Sequence, residues 1–136
     1  MTYPRMTHYM AAFLRRKWKN CKAWPNASLL AWVQWFVDNN RYLLVSENKR
    51  IISLGLYRRV KNAEDLERAY ADDGGPIIYI DVLCSNGGRG LKGSFNSLLR
   101  KEGDTATHVS WIRGKCRDRF SLFTLGNAAR HLVLTS

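Results

Sequence analysis

The chain has 136 residues, of which 46% are hydrophobic and 12% aromatic, and these values predict one packed globular domain, 1–136, rather than a disordered chain. Charged or polar residues interrupt every apolar window well short of a membrane span, and the N-terminal residues lack the pattern of a secretory signal. We therefore expect a cytoplasmic protein that does not enter a membrane. The net charge of +11 predicts an anionic partner.

The positive charge is concentrated in the first half of the chain. Residues 1–61 contain 12 lysines and arginines against two acidic residues, whereas residues 62–136 contain 10 against nine. This asymmetry indicates a basic face, or else the solvated side of a helix. The three cysteines, Cys21, Cys84 and Cys116, are widely spaced, and no Cys/His cluster has zinc spacing. We therefore expect neither a disulfide nor a metal site.

Two amphipathic helices are predicted first. Residues 8–20 place apolar side chains at helical spacing opposite a basic cluster. A second helix begins at Asn26 or Ser28 and ends at 38–40. Its apolar residues fall at positions i, i+3, i+4 and i+7, namely Leu29, Trp32, Val33 and Phe36. We interpret the tryptophans of this helix as core residues rather than as a platform for stacking bases.

A β-hairpin and a buried strand follow. Residues 41–46 and 50–59 are rich in β-forming side chains, and the short polar connection between them predicts an antiparallel pair. Residues 62–70 predict a short acidic helix or turn. The apolar, β-branched run 76–84 predicts a central buried strand.

A glycine-rich turn comes directly after this strand, with four glycines in residues 87–93. A helix is predicted over 93–102 and a further strand over 107–113. Residues 115–125 carry apolar side chains at helix-like intervals, and residues 129–134 predict a last strand. A strand that leads through glycines into a helix gathers free backbone N–H groups, and these favour a phosphate.

This order of elements predicts an α/β fold, a single domain whose mixed, mostly antiparallel sheet is flanked by helices. The order and the glycine turn together resemble the GCN5-related N-acetyltransferase (GNAT) superfamily. In that family the turn binds the pyrophosphate of acetyl-CoA within the pattern Gln/Arg-x-x-Gly-x-Gly/Ala. The best register here begins at Gly87. Gly90 matches the pattern, whereas Gly87 and Lys92 depart from it.

A second similarity lies further along the chain. Residues 119–126 are similar to the aromatic helix of that family, with Phe123 near the place where many members have a tyrosine that protonates the leaving thiolate. The resemblance also implies a very short first strand at Thr2–Met6. It implies a final strand that is missing or supplied by a partner, which makes a homodimer one expectation.

The resemblance implies an acyl-CoA-dependent N-acyltransferase that transfers an acetyl group to an amine, with acetyl-CoA or another acyl-CoA as cofactor. Backbone groups at the end of the strand and in the turn would hold that cofactor. These residues are Leu83, Cys84, Arg89, Gly90, Leu91, Lys92 and Gly93.

Three side chains are candidates for the chemistry. Asp81 is the one carboxylate within the central strand, and burial would raise its pKa and suit it to proton abstraction. The alternative is a carboxylate that faces outward or pairs with an arginine. Cys84 is a candidate acyl-carrying nucleophile, or else a buried structural thiol. Ser85 is a candidate donor to the departing thiolate.

Other functions stay open at this point. Toxin-activating lysine acyltransferases use an N-terminal His and a strand Asp with an acyl-carrier protein, and His8 and Asp81 sit in comparable places. The basic half of the chain would suit such an acidic partner. The other alternative is a catalytically silent domain of the same fold that binds nucleic acid or another anionic partner. The net charge and the five tryptophans favour this alternative.

Overall fold

The computed structural model describes residues 2–112 and 120–124. In this part of the chain, helices α1, α2 and α3 pack on a sheet of strands β1 to β5. The helices are α1 (Arg5–Lys17), α2 (Asn26–Asp38) and α3 (Gly88–Glu102). The strands are β1 (Tyr42–Glu47), β2 (Arg50–Val60), β3 (Ile77–Ser85), β4 (His108–Ile112) and β5 (Phe120–Thr124). Short 3₁₀ helices occupy Lys19–Cys21 and Ala63–Glu67.

The sheet has the strand order β1-β2-β3-β4-β5. The pairs β1–β2, β2–β3 and β4–β5 are antiparallel, and β3–β4 is parallel because α3 forms the crossover between those strands. The expected α/β fold with a mixed, mostly antiparallel sheet is therefore confirmed.

The two predicted N-terminal helices are present. The periodic apolar residues Met10, Phe13 and Leu14 of α1 are buried, as are Leu29, Val33 and Phe36 of α2. Pro4 and Pro25 stand at the N-cap positions, where a fixed φ near −65° and a missing N–H do no harm. The short first strand expected at Thr2–Met6 is wrong, because Arg5 and Met6 already belong to α1.

The predicted hairpin is confirmed as β1 and β2. Its turn consists of Asn48 and Lys49, which have φ values of 52° and 63°. Two successive left-handed residues match the right-handed twist of the strands that they join. Glu47 pairs with Arg50 on either side of this turn.

Two apolar clusters lie on opposite faces of the sheet. On one face, α1 and α2 cover Leu54, Leu56 and Val82. On the other face, α3 places Phe95 and Leu98 against Ile78 and Ile80. Because both faces of β2 and β3 are covered, these strands carry nearly continuous apolar runs.

A buried ionic network fixes the C-terminal end of α3 to the sheet. The Glu102 carboxylate accepts hydrogen bonds from Arg41 Nη1 at 2.9 Å, Arg59 Nη1 at 3.0 Å and the Tyr57 hydroxyl at 2.6 Å. Asp72 binds Arg41 from the other side, at 2.6 Å. Burial raises the pKa of Tyr57 well above its ordinary value, and the bond to Glu102 raises it further. The network thus joins the last turn of α3 to β2 and to the Arg41–Asp72 pair.

The C-terminal region departs from its prediction. Phe120–Thr124 is a strand that pairs with β4, with Val109 opposite Phe123, so the helix expected over 115–125 is wrong at these residues. The similarity of 119–126 to an aromatic helix fails for the same reason. Short apolar runs satisfy helical and strand spacing alike, and pairing with β4 decides between them. Cys116 and the strand expected over 129–134 lie outside the described residues.

Candidate functional site

An irregularity in the middle of β3 lies at Asp81. Leu56 of β2 stands opposite Val82 and the next residue, Tyr57, stands opposite Ile80, so Asp81 has no partner residue on β2. This arrangement is a β-bulge, in which one strand carries an extra residue and bends. Bulges are frequent beside active sites because they redirect the backbone.

The described pairing of β3 with its parallel neighbour β4 ends at the same point. The pairing of β3 with β4 ends at Ile80 and Trp111, so among the described strands Asp81–Ser85 pairs only with β2. The Asn86 N–H donates to the Ile52 carbonyl at 2.7 Å. Since successive residues of a strand direct their backbone groups to opposite edges, Leu83 and Ser85 present theirs at the edge away from β2. The backbone of Cys84 is directed toward β2.

Helix α3 begins immediately after β3. Gly87 occupies the N-cap position with a φ of 92°, a left-handed conformation that favours glycine, and the helix starts at Gly88 rather than at 93 as expected. The Leu91 N–H donates to the Gly87 carbonyl at 3.4 Å. The amides before this first helical bond belong to Gly88, Arg89 and Gly90 and are directed out of the helix start. The sequence analysis did not identify Gly88 as a site residue.

The amides of Lys92 and Gly93, both predicted to bind phosphate, lie further inside α3. Helical geometry directs each of these N–H groups to the carbonyl four residues earlier in the helix. The three amides of the first turn are therefore the backbone donors that the site offers, and they coincide with the positive end of the helix dipole.

Gly90 has a packing role at this position. A Cβ on Gly90 would lie 2.9 Å from the Ile52 carbonyl oxygen, 3.0 Å from the Ser53 Cβ and 2.7 Å from the Ser85 Oγ. Only glycine lets the first turn of α3 approach β2 this closely. Gly90 therefore matches the family pattern for a packing reason, whether or not its amide contacts phosphate.

The basic side chains of this turn are at the surface. Arg89 is 82% exposed, and its Nη2 lies 3.2 Å from the Glu47 carboxylate. Lys92 is also exposed. An exposed ion pair contributes little to stability, so Arg89 can exchange Glu47 for an anionic ligand at small cost.

Asp81 is held by an arginine of the neighbouring strand. Arg58 Nε donates to Oδ2 at 2.9 Å and Nη2 donates to Oδ1 at 3.0 Å, and both side chains are largely buried. Burial raises the pKa of Asp81 above its ordinary value, and the Arg58 guanidinium offsets only part of that increase. The sequence analysis considered both a raised pKa and an arginine partner for Asp81, and the two occur together.

The three candidate side chains do not form one cluster. Cys84 packs on the α1–α2 face, whereas Ser85 faces α3, where its hydroxyl donates to the Gly87 carbonyl at 2.7 Å. Ser85 lies four residue steps after Asp81 along the extended strand, a distance of about 13 Å. Burial raises the pKa of the Cys84 thiol, and the nearby Cys21 raises it further against the effect of Lys17. Cys84 therefore has little thiolate character.

The basic segment between α1 and α2 combines structural and exposed residues. Arg15 donates to the carbonyl oxygens of Cys21, Lys22 and Trp24 and to Asn26 Oδ1, so its guanidinium holds the connection between the helices. Nearby charges are exposed to solvent, namely Arg16, Lys17, Lys19 and Lys22.

The tryptophans of this region pack against each other. The Trp18 ring stacks on Trp32 at 5.3 Å, and Trp24 meets both rings edge-on at 5.3 to 5.5 Å. Their partial burial agrees with the interpretation of these side chains as core. His8 is exposed on α1, and its ring centroid lies 6.4 Å from that of Tyr3.

Two further observations concern residues 2–112 and 120–124 alone. No helix there has the length and apolar character needed to cross a membrane. The same residues contain no group of three or more His, Cys, Asp or Glu side chains placed to hold a metal ion.

Among the described residues, the end of β3 and the first turn of α3 thus adjoin and carry backbone polar groups that no described strand pairs with. The function of this site must be argued from this geometry, because no protein-family model and no curated protein sequence matches the chain significantly.

Proposed function

We propose that this protein is an acyl-CoA-dependent N-acyltransferase with a GNAT-like architecture. The observation that carries the proposal is the course of β3, in which Asp81–Ser85 pairs, among the described strands, only with β2 and leads directly into the first turn of α3. A strand edge offers carbonyl and N–H groups that pair with the amides of an extended ligand such as the pantetheine arm. The helix start offers free amides and a positive dipole to the pyrophosphate.

In this proposal the end of β3 and the first turn of α3 bind different parts of the cofactor. Backbone groups of Leu83 and Ser85 pair with pantetheine, and the amides of Gly88, Arg89 and Gly90 bind the pyrophosphate. The exposed side chains of Arg89 and Lys92 add positive charge around it. The thioester carbonyl then lies toward the bulge at Asp81, where the backbone of β3 bends.

The chemical step is the attack of an acceptor amine on the thioester carbonyl. The new C–N bond forms, the C–S bond breaks, and the electron pair of that bond leaves on the CoA thiolate. Asp81 accepts the proton that the amine loses, because two bonds from Arg58 leave carboxylate lone pairs free and its raised pKa suits a base. The thiolate takes a proton from water, because Ser85 lies at the pyrophosphate end of the site, bonded to the Gly87 carbonyl.

Isothermal titration with acetyl-CoA tests the binding. We expect the wild-type protein to bind saturably. The double variant Arg89→Glu with Lys92→Glu places negative charge beside the pyrophosphate, so it should weaken binding about tenfold or more. Both residues are exposed, and the change should therefore leave the fold intact.

Arg100→Glu is the matched control, since it reverses an exposed charge at the opposite end of α3. It should change the affinity less than about twofold, because exposed charges more than a Debye length away are screened. Equal losses in the control and the double variant would contradict a site at the start of α3. No saturable binding at about 1 mM acetyl-CoA would contradict the proposed function as a whole.

A second candidate is a catalytically silent domain of this fold that binds nucleic acid or another anionic partner. The exposed cations around residues 16–22 favour it, since the described residues contain no carboxylate paired with them. The two candidates place their ligands on different surfaces of the protein. Mapping of the bound surface therefore separates them.

A further inference from the structure

An open groove of ≈ 530 Å³ runs between α1 and α2. Its middle is apolar and is formed by Ala11 and Ala12 on α1 and by Leu29 and Leu30 on α2. Arg15, Arg16 and Asn26 form one end of it, and His8 completes the lining. None of these residues belongs to the β3–α3 site.

The shape of the groove fits a helix. The two alanines leave little side-chain volume on the α1 wall, so the backbone of an incoming helix can approach at the short distances typical of helix packing. The half-buried Leu30 offers an apolar contact along the opposite wall. A helix that lies in such a groove presents apolar side chains at i, i+3, i+4 and i+7.

The positive charge at one end of the groove indicates that the helix is acidic. Arg15 is bound to neutral carbonyl and amide oxygens, so its positive charge is not neutralised, and Arg16 is exposed. No carboxylate in the described part of the chain forms an ion pair with either arginine. The start of α2 adds the positive end of its dipole at the same end of the groove.

We propose that this groove docks an acidic amphipathic helix of a partner protein. The apolar face of that helix covers Ala12 and Leu30, and its carboxylates meet Arg15 and Arg16. A protein helix fits better than a nucleic acid, because the middle of the groove is apolar and the tryptophans nearby pack on each other instead of presenting stacking faces.

Fluorescence anisotropy with a labelled synthetic peptide tests this proposal without acyl-CoA. The probe has about 18 residues, five helical turns, with leucine on one face and glutamate on the rest. We expect saturable binding to the wild-type protein. Ala12→Glu places a carboxylate in the groove, so binding should weaken about tenfold or more.

Ala31→Glu is the matched control, because Ala31 is exposed on α2 outside the groove lining. It introduces the same charge outside the groove and should therefore weaken binding much less than Ala12→Glu does. Two further probes are a scrambled peptide of the same composition and a single-stranded oligonucleotide of the same charge. Binding of either probe as tight as that of the amphipathic peptide would overturn the proposal. Equal effects of the two glutamate variants would also overturn it.

Discussion

Replacement of Glu102 by alanine should lower the free energy of unfolding by about 3–5 kcal/mol, which is a large part of the stability of a domain of this size. The carboxylate binds Arg41, Arg59 and Tyr57 in a largely buried position. Its loss leaves the Arg59 guanidinium buried with only neutral acceptors, the Gly75 carbonyl and the Thr105 hydroxyl. A buried charge without a counter-ion costs far more than the pair contributes.

Urea denaturation followed by circular dichroism measures this effect. Glu67→Ala is the control, since that carboxylate is exposed at the last residue of the second 3₁₀ helix and should change stability by less than about 0.5 kcal/mol. A loss below about 1 kcal/mol for Glu102→Ala would show that the ionic network does not fix α3 to the sheet.

Gly90→Val should destabilise the fold by about 3 kcal/mol. The Ile52 carbonyl and the Ser53 Cβ would lie 2.9 and 3.0 Å from the new Cβ, and both belong to the backbone or the inner face of β2. Because neither group can rotate away, the first turn of α3 must move. The Ser85 hydroxyl, at 2.7 Å, can turn aside and adds less to the cost.

Thermal and urea unfolding of Asn96→Val provides the comparison. Asn96 is exposed in the middle of α3, so the same valine there should change stability by less than about 0.5 kcal/mol. If Gly90→Val were as stable as Asn96→Val, the close approach of α3 to β2 would not describe the protein in solution.

Local patterns predicted the first half of the fold well. The spacing of Leu29, Val33 and Phe36 is helical, and these residues are buried on one side of α2. The hairpin likewise follows from a short polar connection between two β-rich runs. These signals come from short contiguous segments, so the local sequence pattern is enough to predict the elements.

The start of α3 shows where local patterns fail. Glycines at positions 88, 90 and 93 predict a turn, because glycine is a poor helix former. The helix nevertheless includes them, since Gly90 packs against β2 and a Cβ on Gly93 would lie 3.0 Å from Val45 of β1. Tertiary contacts thus decide the boundary, and they also decide that Phe120–Thr124 is a strand.

The chemistry of the site was predictable only in part. The strand and the glycine turn indicated where the candidate site lies, and an arginine partner of Asp81 was one of the open alternatives. The bulge at Asp81 and the end of the described pairing with β4 depend on the registers of three strands, which no short segment encodes. The Glu102 network joins residues 43 to 61 positions apart, so no sequence spacing indicated it.

The most direct test of the central claim is a map of backbone amide shifts in a ¹⁵N-labelled sample titrated with CoA. The proposed site predicts the largest changes at Leu83 and Ser85 on the strand edge and at Gly88, Arg89 and Gly90 in the first turn of α3. Changes confined to residues 15–22, or an unchanged spectrum, would contradict an acyl-CoA site at the end of β3.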